Sequence, residues 1–166
     1  FGPAAGPPAI PTAYNNLKRI IQTPDSVMIL AEMVHDARVI PIGGAHRPDD
    51  IRSWMGDSVG RWEGDTLVVE TINFKEDPGL MAADENLRVV ERFSRIDEAS
   101  LLYQFEVSDP TIWTETWKGE YPWPQTQDKV YEYACHEGNY SFGNIMRGAR
   151  TLEDDLLSGA SSGLQE

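Results

Sequence analysis

Glu91 has the most unusual setting of any acid in this chain. Leu87, Val89, Glu91, Phe93 and Arg95 alternate onto one face of a strand. A three-residue loop at Asp97-Glu98-Ala99 would pair that row with Leu101, Tyr103, Phe105 and Val107, setting the carboxylate opposite Phe105. Apolar surroundings disfavour a charged carboxylate and raise its pKa, which suits a general acid or base. The competing role is structural, with Arg95 or another basic residue neutralising Glu91 in an ion pair. Glu70, between Val68 and Ile72, has a weaker form of the same case, and Arg61 on the facing strand is its expected structural partner. If Glu70 and Glu91 point into one interior, they form a carboxylate pair of the acid/base kind.

His35, His46 and His136 each stand at or near a predicted strand end. Converging at one mouth, they would hold a divalent zinc or copper ion, but their spacing carries no local ligand signature. Separately hydrogen-bonded histidines are the commoner outcome, so no metal or other cofactor is assigned. His136-Glu-Gly-Asn139 gathers three polar side chains where a strand gives way to a turn; His136 is the natural complement of Glu91, and Asn139 a candidate ligand contact. Arg61 or Arg92 would stabilise an anion. Trp113, Trp117 and Tyr121 alternate along one strand with Trp123 just beyond, forming either core or a stacking platform for a sugar or aromatic ligand. Neither a Gly-rich phosphate loop nor a serine nucleophile elbow is present.

Positioning these residues falls to a run of strands. Gly64-Asp65 predicts a two-residue turn joining Val59–Glu63 to Thr66–Phe74, with Glu63 facing Thr66, Trp62 facing Leu67 and Gly60 facing Val69. Further strands are expected at Val27–Met33, Ala37–Ile42, Leu87–Ile96, Leu101–Ser108, Trp113–Tyr121 and Val130–His136, with a short strand or turn at Tyr14–Ile21. Pro48–Met55 reads as a helical turn anchored by Trp54. With no long amphipathic helix between strands, the expectation is a mainly β fold, an antiparallel meander closed into a barrel or a strongly curved sheet. A β-sandwich is the alternative. Residues 1–25 form a Pro/Gly-rich arm, to be held along the body or against a neighbouring subunit, and 26–137 form the body. Residues 138–166 give a helix, with an Ile, Met and Leu stripe expected to pack on the body, and a tail.

Fourteen basic against 27 acidic residues leave a net charge of −13, which disfavours nucleic acid and anionic membrane surfaces as partners. No apolar run approaches the roughly 20 residues of a membrane span, so membrane insertion is not expected. The lone Cys135 excludes an internal disulfide; it is a buried small residue, or its partner lies outside this chain.

Arg61-Trp-Glu-Gly-Asp-Thr-Leu-Val-Val-Glu-Thr71, Asn86-Leu-Arg-Val-Val-Glu-Arg-Phe93 and Glu132-Tyr-Ala-Cys-His-Glu-Gly-Asn-Tyr140 together resemble a widespread family of bacterial exported proteins of unknown function. The resemblance runs from about Pro8 to Arg150 and departs from the family pattern at Asp77–Ala83. It implies a signal peptide on the full-length protein and a periplasmic or extracellular location. The resulting expectation is an exported β protein binding a small organic ligand or sugar in a cavity lined by Tyr103, Trp113, Trp117 and Arg61, with Glu91, and Glu70 beside it, as acid/base groups for hydrolysis, elimination or isomerisation. The alternative is a structural or interaction protein, a homo-oligomer or the subunit of a larger assembly.

Overall fold

Gly64 adopts the positive φ (+60°) that a tight two-residue turn needs, and the hairpin around it forms in the expected register, Glu63 against Thr66, Trp62 against Leu67 and Gly60 against Val69. The computed structural model describes residues 6–80, 82–134, 137–138 and 140–159. Strands β1 (Lys18–Gln22), β2 (Ser26–Ala31) and β3 (Ala37–Pro41) form one antiparallel sheet. Strands β4 (Asp57–Glu63), β5 (Thr66–Ile72), β6 (Arg88–Asp97), β7 (Ser100–Ser108) and β8 (Trp117–Pro124) form a second, with neighbours in chain order. Backbone hydrogen bonding joins the two sheets at one corner, where Ile42 makes an isolated bridge to Gly60 and the Gly43 amide donates to the Gly60 carbonyl at 2.7 Å.

The barrel expected from the sequence does not close. Among the described residues no ladder joins β1 to β8, and a sandwich-like or curved pair of sheets describes the body. Strand β1 has only five residues, and β8 ends in Pro122 and Pro124, which have no N–H to donate from an edge. Alternation still decides what is inside: Val27, Ile29 and Ile40 from one sheet meet Leu67, Val69, Val89, Phe93, Tyr103, Phe105 and Val107 from the other. Phe105 lies directly over Gly119 on β8, where a Cβ would come within 2.4 Å of its ring.

Several boundaries differ from expectation, each for a local reason. The strand expected from Trp113 begins only at Trp117, because Asp109 takes the Thr111 amide and hydroxyl on its carboxylate and the Trp113 amide on its carbonyl, curling 109–113 into a turn. Residues 130–134 form no strand; the Tyr131 amide donates to the Glu32 carboxylate instead. At the β6–β7 turn the loop is Glu98-Ala99 with a bulge between Arg95 and Asp97, which leaves the Glu91 to Phe105 pairing as expected. Trp54 is exposed, with Lys75 over its ring; Arg52 anchors that turn instead, donating to the carbonyls of Phe74 and Glu85.

The arm enters its own body. Gly6, Pro7, Pro8 and Ala9 are buried, and Ala9 belongs to the main core. The chain divides into two units, Phe1–Tyr133 and Ala134–Glu166. The second contains helix α1 (Ser141–Ser158), which ends at Gly159 in the left-handed region. Phe142, Ile145, Met146, Leu152 and Leu156 stand exposed along it. Among the described residues no helix is long and apolar enough to cross a membrane.

Candidate functional site

Glu91 lies fully buried, facing inward from β6, as its alternation requires. Its neutralising partner is Arg38 on β3, not Arg95: Arg38 Nη1 approaches Glu91 Oε2 to 2.7 Å, with 4% of the Arg38 side chain exposed. The contact is an ion pair at an angle that is not a hydrogen bond's, and Coulomb attraction at this separation does not depend on that angle. The other carboxylate oxygen accepts from the Tyr103 hydroxyl at 2.7 Å, and that hydroxyl accepts from the Ala9 amide at 2.8 Å. Burial, then the adjacent Glu91 charge, pushes the Tyr103 phenol well above its ordinary range, so it stays a donor. Tyr121 donates to the Ala9 carbonyl, which completes a closed polar cluster around the arm. Neither Glu91 nor Tyr103 borders the two large clefts described below.

The remaining acids and cations divide into pairs. Val69 pairs with Glu91 and Glu70 with Val90, so Glu70 points to the opposite face of the sheet, and no Glu70–Glu91 dyad exists. Glu70 accepts from Arg88 Nε at 2.6 Å rather than from Arg61, which pairs with Glu63 at 2.6 Å; Arg92 reaches the same Glu63 at 3.1 Å. Arg95 is exposed and donates to the Glu98 carbonyl. His46 Nδ1 lies 2.9 Å from Asp57 Oδ2, and its Nε2 lies 3.8 Å from Glu70. Arg47 binds Asp57 through its amide and guanidinium. Burial pushes the Asp57 carboxyl up, but the Arg47 amide and guanidinium and the His46 ring outweigh it and hold the pKa below the usual value. That corner ties the 43–52 connection to β4. His35 sits exposed in the turn Met33–His35, far in role from His46. Among the described residues no three His, Cys, Asp or Glu side chains come together as metal ligands. Cys135, His136 and Asn139 lie outside the described residues.

The aromatic row is real but shifted toward the C-terminal end of β8. Trp117 packs edge-on against Phe105 at 5.7 Å, and Trp113 edge-on against Trp117 at 5.8 Å, both as rim of the core. Trp123, which the shortened strand had left out, joins the row: it stacks on Tyr103 at 4.7 Å and meets Phe93 edge-on at 5.6 Å. Beside it, on the unclosed side of the meander, runs a groove of about 700 Å³ between Leu17–Ile20 and Tyr121–Val130. A second cleft, of about 770 Å³, opens between Ile20, Val27 and Ile29 of one sheet and Trp62, Leu67 and Phe93 of the other. Both fall in the range of small-molecule sites, roughly 300–1,000 Å³.

Lys18, which no sequence pattern singles out, lines the groove with its ammonium 5.3 Å from the centre of the Trp123 ring. The only other polar contact described for it is a long one, to the Asn16 carbonyl at 3.4 Å. Burial lowers its pKa. Its alternating neighbours Asn16, Ile20 and Gln22 carry no signal for it; only the facing Trp123 gives that placement meaning. Set against known proteins, the chain matches no family model, no curated protein and no solved structure.

Proposed function

We propose that this chain is an exported protein that binds a small organic molecule in the groove between β1 and β8. The observation that carries this is the unclosed meander: two edge strands that do not pair flank a groove of about 700 Å³ walled by Leu17, Tyr121, Pro122, Trp123 and Val130. An apolar wall with a few polar groups at defined points is the usual form of a small-molecule site. Binding is favoured over acid/base catalysis because the acids put forward from the sequence are engaged: Glu91 by Arg38 and Tyr103, Glu70 by Arg88. The groove is favoured over the larger cleft because the groove alone pairs an aromatic wall with a half-buried cation that has no carboxylate partner among the described residues. Export rests on the resemblance carried by the Arg61–Thr71 and Glu132–Tyr140 motifs.

Phenylacetamide, a neutral aromatic probe, tests the site. Titrated into isotopically labelled protein, it should shift resonances of Leu17–Ile20 and Tyr121–Val130 with a dissociation constant on the order of millimolar, as expected for ten heavy atoms. Shifts confined to the Trp62 and Phe93 cleft would move the site there. Groove resonances that respond to protein dilution and not to the probe would favour the competing role, a subunit whose edge strands meet another copy.

A further inference from the structure

We infer that the groove selects a carboxylate-bearing ligand with an apolar, aromatic-sized body, and that Lys18 is the residue that sets this selectivity; the inference rests on the binding role proposed for the same groove. Three observations carry it. Lys18, Arg19 and Asp128 are the charged residues lining the groove, a local balance of +1 in a chain whose net charge is −13. Asp128 accepts from the Thr126 hydroxyl at 2.9 Å, and Lys18 has no carboxylate within ion-pair distance among the described residues. The Lys18 side chain is also half-buried, with its ammonium held over the Trp123 ring.

An unpaired, partly desolvated ammonium is disfavoured, and burial accordingly lowers the Lys18 pKa. A ligand carboxylate at Nζ reverses that imbalance through a charge-assisted hydrogen bond, while its apolar body covers Leu17, Trp123 and Val130. A neutral amide of the same shape gains the second contact and can still accept from Nζ through its carbonyl, but it lacks the attraction between opposite charges. Cationic ligands are excluded at the same point, although the protein's overall charge would attract them.

Phenylacetate and phenylacetamide differ in charge and little in shape, and their comparison by calorimetry and groove resonance shifts is the test. Phenylacetate should bind about tenfold more tightly than the amide at low salt, the preference shrinking as sodium chloride is raised. Lys18→Met keeps the stem, removes the charge and should bring the two ligands within about twofold of each other, while Lys18→Arg should retain the preference. The Lys18 ammonium bonds to no strand backbone, so the Met variant should fold, and an unchanged urea unfolding midpoint is its internal control. Equal binding of the two ligands to the unmodified protein would overturn the selectivity and leave the binding role standing. Tighter binding of the acid that survives in Lys18→Met would overturn the role of Lys18. No binding of either would overturn both, and groove shifts on protein dilution alone would assign the surface to a second copy.

Discussion

At the scale of single residues the decisive feature is that Glu91 and Arg38 are buried together. Apolar burial of a carboxylate is the setting of a catalytic acid, but also of a structural ion pair, and the two differ in what the partner does when the acid is neutralised. Glu91→Gln leaves the Arg38 guanidinium, 4% exposed, without its counter-charge. That change should cost about 3–5 kcal/mol in urea unfolding, while phenylacetamide binding per folded molecule is unchanged. Replacing both partners, Arg38→Met with Glu91→Leu, should recover most of that loss, since a well-packed apolar pair often matches a buried ion pair. Full stability in Glu91→Gln combined with lost ligand binding would return Glu91 to a functional site. The sequence placed Glu91 opposite Phe105 correctly because turn and alternation are local rules. It left the partner open between Arg95 and another basic residue, because Arg38 lies on the other sheet and no local pattern reports which cation a fold brings across an interior.

Among the elements, what could be read in advance follows the same division. The β4–β5 register was set by Gly64-Asp65, and β6 and β7 by their alternation, all within about twenty residues of chain. That the arm is held was expected, along the body or against another subunit, but its contacts were not legible: Ala9 bonds to Tyr103 and Tyr121, 94 and 112 residues away. Barrel closure failed for a reason that was present in the sequence but underweighted, the prolines at 122 and 124 of an edge strand. Removing residues 1–9 tests the arm. Two hydrogen bonds are lost and the buried Tyr103 hydroxyl loses the Ala9 donor, so the change should cost about 1–3 kcal/mol and lower the melting temperature without altering the sedimentation coefficient class. A changed oligomeric state with unchanged stability would mean that the arm serves an interface. Gly119→Ala probes the β7–β8 contact in the same way: its Cβ would meet the Phe105 ring at 2.4 Å, and the overpacking should cost about 1–3 kcal/mol.

For the molecule as a whole, pH reads the balance between its surface charge and its buried polar groups. With 27 acidic residues against 14 basic, partial protonation relieves self-repulsion, so stability should stay flat or rise as pH falls from neutrality toward about 5. Below that, Asp57 and Asp109 govern. Burial pushes both up, but hydrogen bonds from Arg47 and His46 on Asp57, and from the Thr111 hydroxyl and the Asp84 and Thr111 amides on Asp109, leave both pKa values below the ordinary aspartate range. The unfolded chain then takes up protons first, and the stability these two groups supply, fully present above about pH 4, is lost as pH falls through their folded values. On the alkaline side Tyr121 has the opposite sign. Burial raises its phenol to about 12. An unfolded tyrosine ionises near pH 10, so the folded state holds its proton longer, and stability should drop between about pH 10 and 12. Urea unfolding midpoints across this range should therefore show a plateau bounded by two limbs. Asp57→Asn should flatten the acid limb and lower the plateau, because Arg47 and His46 lose their shared acceptor. Tyr121→Phe should make the alkaline limb shallower, the raised Tyr103 phenol carrying the remainder, and lower the plateau by about 1 kcal/mol for the lost bond to Ala9. An alkaline limb of unchanged slope in Tyr121→Phe would mean that Tyr121 is solvated in solution, and with it that its bond to Ala9 does not hold the arm in the core.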